Sequence, residues 1–166
     1  MKFDELKKGE SIFIDANIFI YHFGGQSDEC KEILIKCAKG DLKGYTLTSI
    51  LAEVLHRLMI AEAIEKGYIS GRNPVRELKA NPEIIKKLSS YIRSVDKINE
   101  MNIQIIGLTK ELISESGKIR RLEGLLTNDS LVLIVMKEFD LKNLITNDND
   151  FNHIKWLRIY KPSDLL

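Results

Sequence analysis

The stretch Ile12-Phe13-Ile14-Asp15-Ala16-Asn17 passes abruptly from a purely apolar run to an acidic residue and an amide. The apolar run predicts a short buried strand over residues 11–14, followed by a helix that begins near Asn17. Asp15 is then expected at the polar end of a buried strand. An unpaired carboxylate there costs several kcal/mol unless a positive group compensates it.

Three later stretches place an acidic residue at a similar transition. They are Ser49-Ile50-Leu51-Ala52-Glu53, Thr127-Asn128-Asp129-Ser130 and Leu144-Ile145-Thr146-Asn147-Asp148-Asn149-Asp150-Phe151. Several carboxylates brought together repel one another, so a divalent cation compensates them better than a lysine. Oxygen ligands of this kind suit Mg²⁺ or Mn²⁺. The pattern therefore predicts phosphoryl chemistry.

The composition is that of a folded protein, with 44% hydrophobic and 30% charged residues. A length of 166 residues is most simply one domain spanning 1–166. The net charge of +1 provides no global field that draws nucleic acid, so any RNA contact needs a local basic patch. No run approaches the roughly 20 apolar residues of a membrane span, and the N-terminus has no apolar signal core. We expect a cytoplasmic protein that does not contact the membrane.

Cys30 and Cys37 are predicted to share one helix, with their Cα atoms about 10 Å apart, which is too far for a disulfide. Both are expected to be small core residues in a reducing compartment. His22, His56 and His153 lack the spacing of a zinc site, so a structural zinc is not expected.

Strand and helix patterns alternate along the chain. Strands are predicted at residues 11–14, 45–48, 103–106, 143–146 and 156–160. A first helix is predicted over residues 27–38, and a second begins after a cap at Ser49. A break near Gly67 and Pro74 follows, and a third helix is predicted from Pro82 to Ile98. The last two helices are predicted after Thr109 and after a cap at Thr127 or Asn128. This order is typical of a central parallel sheet with helices on both faces. Residues from about 60 to 99 are predicted to form a helical insert between the second and third strands.

Ligands of open parallel sheets bind beyond the carboxyl ends of the strands. Asp15 and Asp148 are expected just past two such ends. Glu53 and Asp129 are expected in the first turns of helices that begin at the same edge. All four carboxylates can therefore face one site.

The four stretches resemble, in content and in order, the motifs of the PIN-domain ribonuclease family, especially its VapC-type toxins. The matching pieces are the strand that ends in Asp15 with Asn17, the Ser/Thr before helical Glu53, Asn128-Asp129 at a helix start, and the segment 145–151. They span residues 12 to 151. Two features depart from the family pattern: the helical insert is long, and Ser130 stands where an alanine often follows the third acid.

The resemblance implies a three-layer α/β/α sandwich and a metal-dependent ribonuclease that leaves 5′-phosphate ends. It implies that Asp15, Asp129 and Asp148 hold one Mg²⁺ or Mn²⁺, and that Glu53 holds a second ion or positions a water. Supporting roles next to these ligands are expected for Asn17, Ser49, Asn128, Thr146 and Asp150. The implied partners are an RNA substrate, an antitoxin protein and a second copy of the chain in a homodimer.

Each acid also has a purely structural interpretation. Asp15 can cap a helix, Glu53 can pair with Arg57 four residues later, and Asp129 can interact with a helix dipole. The Asn/Asp-rich segment 147–150 is also typical of a turn. Basic residues that could contact phosphate are Lys86, Lys87, Arg93, Lys97, Lys118, Arg120 and Arg121.

Two other protein classes remain open. One is a catalytically silent PIN-like module that binds RNA or acts as a scaffold. The other is a receiver-like phosphoacceptor domain, which needs two adjacent acids after its first strand and a lysine at the site. Phe13 and Ile14 precede the single Asp15, which disfavours this second class.

Overall fold

The computed structural model describes residues 1–165. The strands are β1 (Ser11–Ile14), β2 (Lys43–Leu47), β3 (Ile103–Ile106), β4 (Asn143–Ile145) and β5 (Arg158–Tyr160). The α-helices are α1 (Ala16–Phe23), α2 (Asp28–Ala38), α3 (Thr48–Glu65), α4 (Pro74–Ala80), α5 (Pro82–Ile85), α6 (Ser90–Ile98), α7 (Lys110–Glu123) and α8 (Thr127–Glu138). A short 3-10 helix (Phe3–Glu5) precedes β1.

The five strands form one sheet in the order β3-β2-β1-β4-β5, and every neighbouring pair is parallel. This confirms the predicted parallel sheet with flanking helices. The chain builds outward from β1 to β3 on one side and then crosses to β4 on the other. The strand order therefore reverses between β1 and β4, which is where open α/β sheets bind ligands.

The central strand is buried on both faces. Ile12, Phe13 and Ile14 of β1 are fully buried, as are Leu144 and Ile145 of β4. Strands covered on both sides form continuous apolar runs instead of alternating patterns. This explains why these segments could be recognised in the sequence without strand periodicity.

Two predicted helix caps are wrong. The helix after β2 begins at Thr48 with Leu47 as its N-cap, not at Ser49, because the strand runs directly into the helix without a loop. The helix that carries Asp129 begins at Thr127 with Leu126 as its N-cap, so neither Thr127 nor Asn128 caps it. In both cases a leucine, whose side chain cannot accept a hydrogen bond, occupies the capping position.

The insert region also differs from its prediction. Pro74 begins helix α4 instead of breaking the pattern, because proline is well tolerated in the first turn of a helix. The single helix predicted from Pro82 to Ile98 is divided into α5 and α6. The apolar spacing continues across this break, which spans residues 86–89. A small second core joins α3, α4, the loop between them and the break, and it is formed by Ala63, Ile69, Leu78 and Leu88.

Cys30 and Cys37 both lie on α2, and both are buried free thiols. Burial raises the pKa of Cys30 to about 11 and that of Cys37 to about 12, so both are uncharged core residues at neutral pH. Within residues 1–165, no helix combines the length and the apolar character needed to cross a membrane.

Glu62, near the C-terminal end of α3, holds the start of α6 against α3. Its side chain is only 5% exposed, and it accepts hydrogen bonds from the backbone N–H of Ser89 (3.1 Å), the backbone N–H of Tyr91 (3.0 Å) and Nζ of Lys66 (2.6 Å). Helix α6 has no cap from its own N-cap side chain, so Glu62 fills that role from another helix. Burial by itself raises the pKa of Glu62, but these hydrogen bonds outweigh it and hold the pKa at about 2.

We predict that Glu62→Gln lowers the stability of the protein by about 2 kcal/mol, or roughly 4–8 °C in Tm, at pH 7. The unfolded carboxyl has a pKa near 4.5 and the folded one near 2, so its stabilisation is complete above pH 4.5 and is lost as the pH falls towards 2. Thermal melts at pH 7, 4.5 and 3 should therefore show the difference between the two proteins shrinking with acid. Glu65→Gln, on the exposed side of the same helix, is the control and should change Tm little. A pH-independent difference would show that the charge of Glu62 does not cap α6.

Candidate active site

A cavity of about 240 Å³ opens at the carboxyl ends of β1 and β4. The four predicted carboxylates, from Asp15, Glu53, Asp129 and Asp148, all line it. Its other polar lining residues are Asn17, Ser49, Arg57 and Asn128. The structure therefore brings the four acids to one cavity, and their role as a functional site stays a prediction. Thr146 and Asp150 lie outside this lining.

The register of the two central strands places Asp15 beside Thr146. Ile14 pairs with Ile145, so the residues that follow them are neighbours, and Oγ1 of Thr146 donates a hydrogen bond to Oδ2 of Asp15 at 2.6 Å. Oδ1 of Asp15 accepts from the backbone N–H of Ala16 at 2.7 Å, so Asp15 also caps α1. The capping and site interpretations of Asp15 are thus compatible.

Asn17 completes the support of Asp15. Its Nδ2 donates to Oδ2 of Asp15 (2.9 Å) and to Oγ1 of Thr146 (3.0 Å), while its Oδ1 accepts from the backbone N–H of Asn147 (3.1 Å). A backbone N–H can only donate, so this last bond fixes which end of the amide faces Asp15. Asn17 and Thr146 therefore hold one oxygen of Asp15 in a defined position.

Burial is the main reason that the pKa of Asp15 is raised above its ordinary value. The hydrogen bonds from Thr146 and Ala16 oppose this rise, whereas the nearby charges of Glu53 and Asp148 add to it. Burial therefore accounts for most of the rise in the pKa of Asp15, and the neighbouring carboxylates account for a smaller part.

The loop after β4 positions Asp148. Its backbone N–H donates to Oγ1 of Thr146 at 3.0 Å, so Thr146 contacts the segments of two predicted ligands. Oδ1 of Asp148 accepts from the backbone N–H of Asp150 at 2.9 Å. The side chain of Asp150 is exposed, and the structure gives Asp150 a role in the turn through its backbone.

Asp129 lies in the first turn of α8, half-buried and facing the cavity. Desolvation first, and then the charges of Asp148, Asp15, Asp150 and Glu53, raise its pKa to about 6. An ordinary helix-start carboxylate is stabilised by the dipole. The place of Asp129 in the cavity with three other carboxylates is an environment that a simple dipole partner does not require.

The next residue, Ser130, joins α8 to α7. Ser130 is fully buried; its Oγ donates to the carbonyl of Thr127 (2.7 Å) and accepts from Nη1 of Arg120 (3.0 Å), which also donates to Oγ of Ser116 (2.9 Å). An alanine could not make these bonds. The serine that stands where the family often has an alanine thus forms a polar link that holds the first turn of α8. The serine itself was the sequence signal for this link.

Glu53 is more exposed than its apolar neighbours suggested. It nevertheless lines the cavity, one helical turn before Arg57. The alternative in which Glu53 pairs with Arg57 is not supported, since no ion pair between them is present in residues 1–165. Arg57 was considered only as that partner, so its place in the cavity was missed.

The basic residues considered for phosphate contact do not line the cavity. Lys86 pairs with Glu83, Lys118 pairs with Glu115, and Arg93 donates to Ser89 and Ser90. Arg120 is used by the serine link between α7 and α8.

The donor set fits a hard divalent cation by its chemistry, because four carboxylates line one small cavity whose charge is mainly negative. Across the described residues, however, no three His, Cys, Asp or Glu side chains are close enough to form a ready-made metal cluster. Mg²⁺ commonly keeps several waters and uses only one or two carboxylates together with a substrate phosphate. The arrangement is therefore compatible with a cation held partly by water and substrate, not with a closed protein cage.

Comparison with known proteins gives a consistent result. The family model of the PIN domain matches residues 12–157. Ribonuclease VapC2 of Methanocaldococcus jannaschii is 29% identical over 150 residues, which cover 89% of this chain and 91% of the relative. Ribonuclease VapC6 of the same organism is 25% identical over 153 residues, which cover 91% of this chain and 97% of the relative.

A solved structure, VapBC2 from Rickettsia felis bound to a DNA fragment from its promoter, superposes with a TM-score of 0.58. The identity is 17%, and the match covers 92% of this chain and 99% of the other. At this identity the likeness concerns the fold, and it agrees with the sandwich described above.

We predict that Asp129→Asn does not destabilise the metal-free protein at pH 7.5 and raises its Tm by about 2–4 °C. The folded carboxyl has a raised pKa, so its ionisation removes stability as the pH rises from about 4 to about 6. The expected gain is about 1 kcal/mol, because the side chain is only half-buried and solvent screens its charge. Melts in EDTA at pH 4.5 and 7.5 should show the larger gain at pH 7.5.

The matched control is Asp140→Asn, an exposed aspartate beyond the C-terminal end of the same helix, which should show no such dependence on pH. A clear drop in the Tm of Asp129→Asn at pH 7.5 would mean that Asp129 serves the helix and is not part of a strained acidic site.

Proposed function

This chain belongs to the PIN domain family, and from that premise we propose that it is a divalent-metal-dependent ribonuclease and the toxin of a toxin–antitoxin pair. The observation that carries the proposal is the gathering of Asp15, Glu53, Asp129 and Asp148 around one cavity at the point where the strand order reverses. The ribonuclease names of the two Methanocaldococcus jannaschii relatives support RNA as the substrate.

The residues that would hold Mg²⁺ or Mn²⁺ are the four carboxylates. A bound divalent cation supplies positive charge that acidifies water and stabilises the charge developing on a phosphodiester. In this proposal Asp15, Asp129 and Asp148 would together hold one ion, with water and substrate supplying the ligands that these described acids, which do not form a ready-made cluster, leave open. Glu53, on the exposed rim, would hold a second ion or orient a water. Asn128 and Ser49 line the same cavity and are placed to contact water or substrate.

The protein's own contribution is orientation. Thr146 and Asn17 both donate to Oδ2 of Asp15. These two hydrogen bonds fix the orientation of the carboxylate in the cavity. Hydrogen bonds to a ligand carboxylate fix its orientation and tune its basicity. Attack by water, without participation of the RNA 2′-hydroxyl, leaves 5′-phosphate and 3′-hydroxyl ends.

The proposal extends to assembly and location. The solved structures that share this fold include the VapBC2 complex. By analogy with that complex, we propose that an antitoxin protein binds this chain and blocks the cavity. We also propose a homodimer, a cytoplasmic location and a single functional domain that includes the helical insert.

One observation favours a second candidate, a catalytically silent module that binds RNA or acts as a scaffold. The described acids do not form a ready-made cluster of three metal ligands. Such a module has no evident reason to retain all four carboxylates around one cavity, which the active enzyme explains. The receiver-like class is further weakened because, of the described residues, the cavity lining includes Arg57 and no lysine.

We predict that the purified protein cuts total cellular RNA in the presence of Mn²⁺ and leaves 5′-phosphate ends, mapped by ligation-based sequencing. A variant carrying both Asp15→Asn and Asp129→Asn, purified in the same way, should show no cuts, because it loses two proposed ligands. Millimolar Mn²⁺ should also raise the Tm of the wild type more than that of Asp129→Asn, because a ligand bound only by the folded state stabilises it.

Identical cuts from both proteins would identify a contaminating nuclease. RNA binding without cuts from either protein would favour the silent module. Equal Mn²⁺ shifts would remove the metal site from the proposal.

We predict that Thr146→Val slows RNA cleavage by about 10–100-fold, the range seen when a residue that orients a metal ligand is changed. The matched control is Thr46→Val. Thr46 is also a fully buried threonine of the sheet, but it donates to the carbonyl of Ile14 and not to a carboxylate. Both variants should lose about 1–2 kcal/mol of stability. Equal losses of activity would mean that Thr146 supports only the fold.

A further inference from the structure

Arg57 is the basic residue in the lining of the acidic cavity. It lies on α3 four residues after Glu53, on the same face of the helix and about 6 Å further along its axis. Its side chain is exposed. A guanidinium thus stands at the rim of a cavity that otherwise presents carboxylates and amides.

Among the described residues, Glu53, the expected partner of this guanidinium, does not form an ion pair with it. An acid four residues before a basic residue on a helix is the favourable arrangement for an ion pair. Yet none of the ion pairs and none of the side-chain hydrogen bonds found within residues 1–165 involves Arg57. Its donors are therefore available to a molecule that enters the cavity.

The negative charge of the cavity indicates that a phosphodiester entering it requires a positive group nearby. A phosphodiester is an anion, and four carboxylates repel it. One divalent cation balances only part of their charge, so a phosphate close to them benefits from a further cation. Arginine presents a planar fork of donors that matches two oxygens of a phosphate, and it stays charged at all working pH values.

We propose that Arg57 binds a phosphate group of the RNA strand at the rim of the cavity and so positions the strand against the carboxylates. This inference rests on the proposed ribonuclease function and adds a substrate-binding residue to it. The competing explanation is that Arg57 only offsets carboxylate charge within the free protein. That explanation predicts an effect on metal-free stability and none on RNA binding.

The test is RNA binding in the background of the Asp15→Asn, Asp129→Asn double variant, for which no cleavage is expected. Binding is measured by fluorescence anisotropy of a labelled single-stranded RNA in Mn²⁺ at several KCl concentrations. Arg57→Met should weaken binding roughly tenfold, and it should reduce the slope of log K against log[KCl] by about 0.7, the value for one phosphate contact on a single strand. Arg57→Lys keeps the charge and should retain the slope while it recovers only part of the affinity.

The matched control is Arg76→Met in the same background. Arg76 is an exposed arginine of α4 outside the cavity, so the variant has the same net charge as Arg57→Met. Unchanged affinity and slope for Arg57→Met would overturn the proposal, as would an equal loss in the Arg76→Met control. A lower Tm of Arg57→Met in EDTA, with unchanged RNA binding, would establish the competing explanation.

Failure of this inference can be separated from failure of the proposed function. If the otherwise wild-type protein cuts RNA with Mn²⁺ but Arg57→Met binds RNA normally, the function stands and the role of Arg57 is rejected. If the protein neither binds nor cuts RNA, the function and the inference are both rejected.

Discussion

The parallel register between β1 and β4 is the constraint on which the site depends. It pairs Ile14 with Ile145 and therefore brings Asp15 against Thr146 at the end of the two central strands. A slip of one residue would turn every side chain of a strand to the opposite face of the sheet. Since Thr146 also contacts Asn17 and the backbone of Asp148, such a slip would disconnect two of the four carboxylates from their supports.

The acidic cavity opposes folding, and the rest of the molecule compensates for it. Burial first, and then mutual repulsion, raise the pKa values of Asp15 and Asp129, so ionising either carboxyl costs more in the folded protein than in the unfolded chain. The buried sheet and the helices on both its faces supply the opposing free energy. Glu62 shows the reverse arrangement, because one of its three hydrogen-bond donors is the ammonium group of Lys66. Asp15 also accepts three hydrogen bonds, but its donors are uncharged and the charges near it are those of other carboxylates.

Where the sequence predictions failed, long-range contacts overrode a local preference. Ser49 and Thr127 are good capping residues, but the chain begins each helix one or more residues earlier, at positions set by β2 and by the packing of α7 against α8. The helical spacing after Pro82 continues through a break because α5 and α6 both pack on α3. The cap of α6 comes from Glu62, which lies 27 residues before Ser89 and has no local sequence signature.

The sequence by itself determined the type and order of the strands and the four acid-bearing transitions, because buried strands, helix starts and turns each have a local residue pattern. That order was enough to predict a parallel sheet and the edge at which the acids meet. Only the tertiary structure decided which polar group supports which acid. Thr146 and Asp15 lie 131 residues apart, and the exposure of Glu53 and the place of Arg57 in the cavity depend on how α3 leaves the sheet. Such contacts depend on packing between distant segments, and residue periodicity carries no information about them.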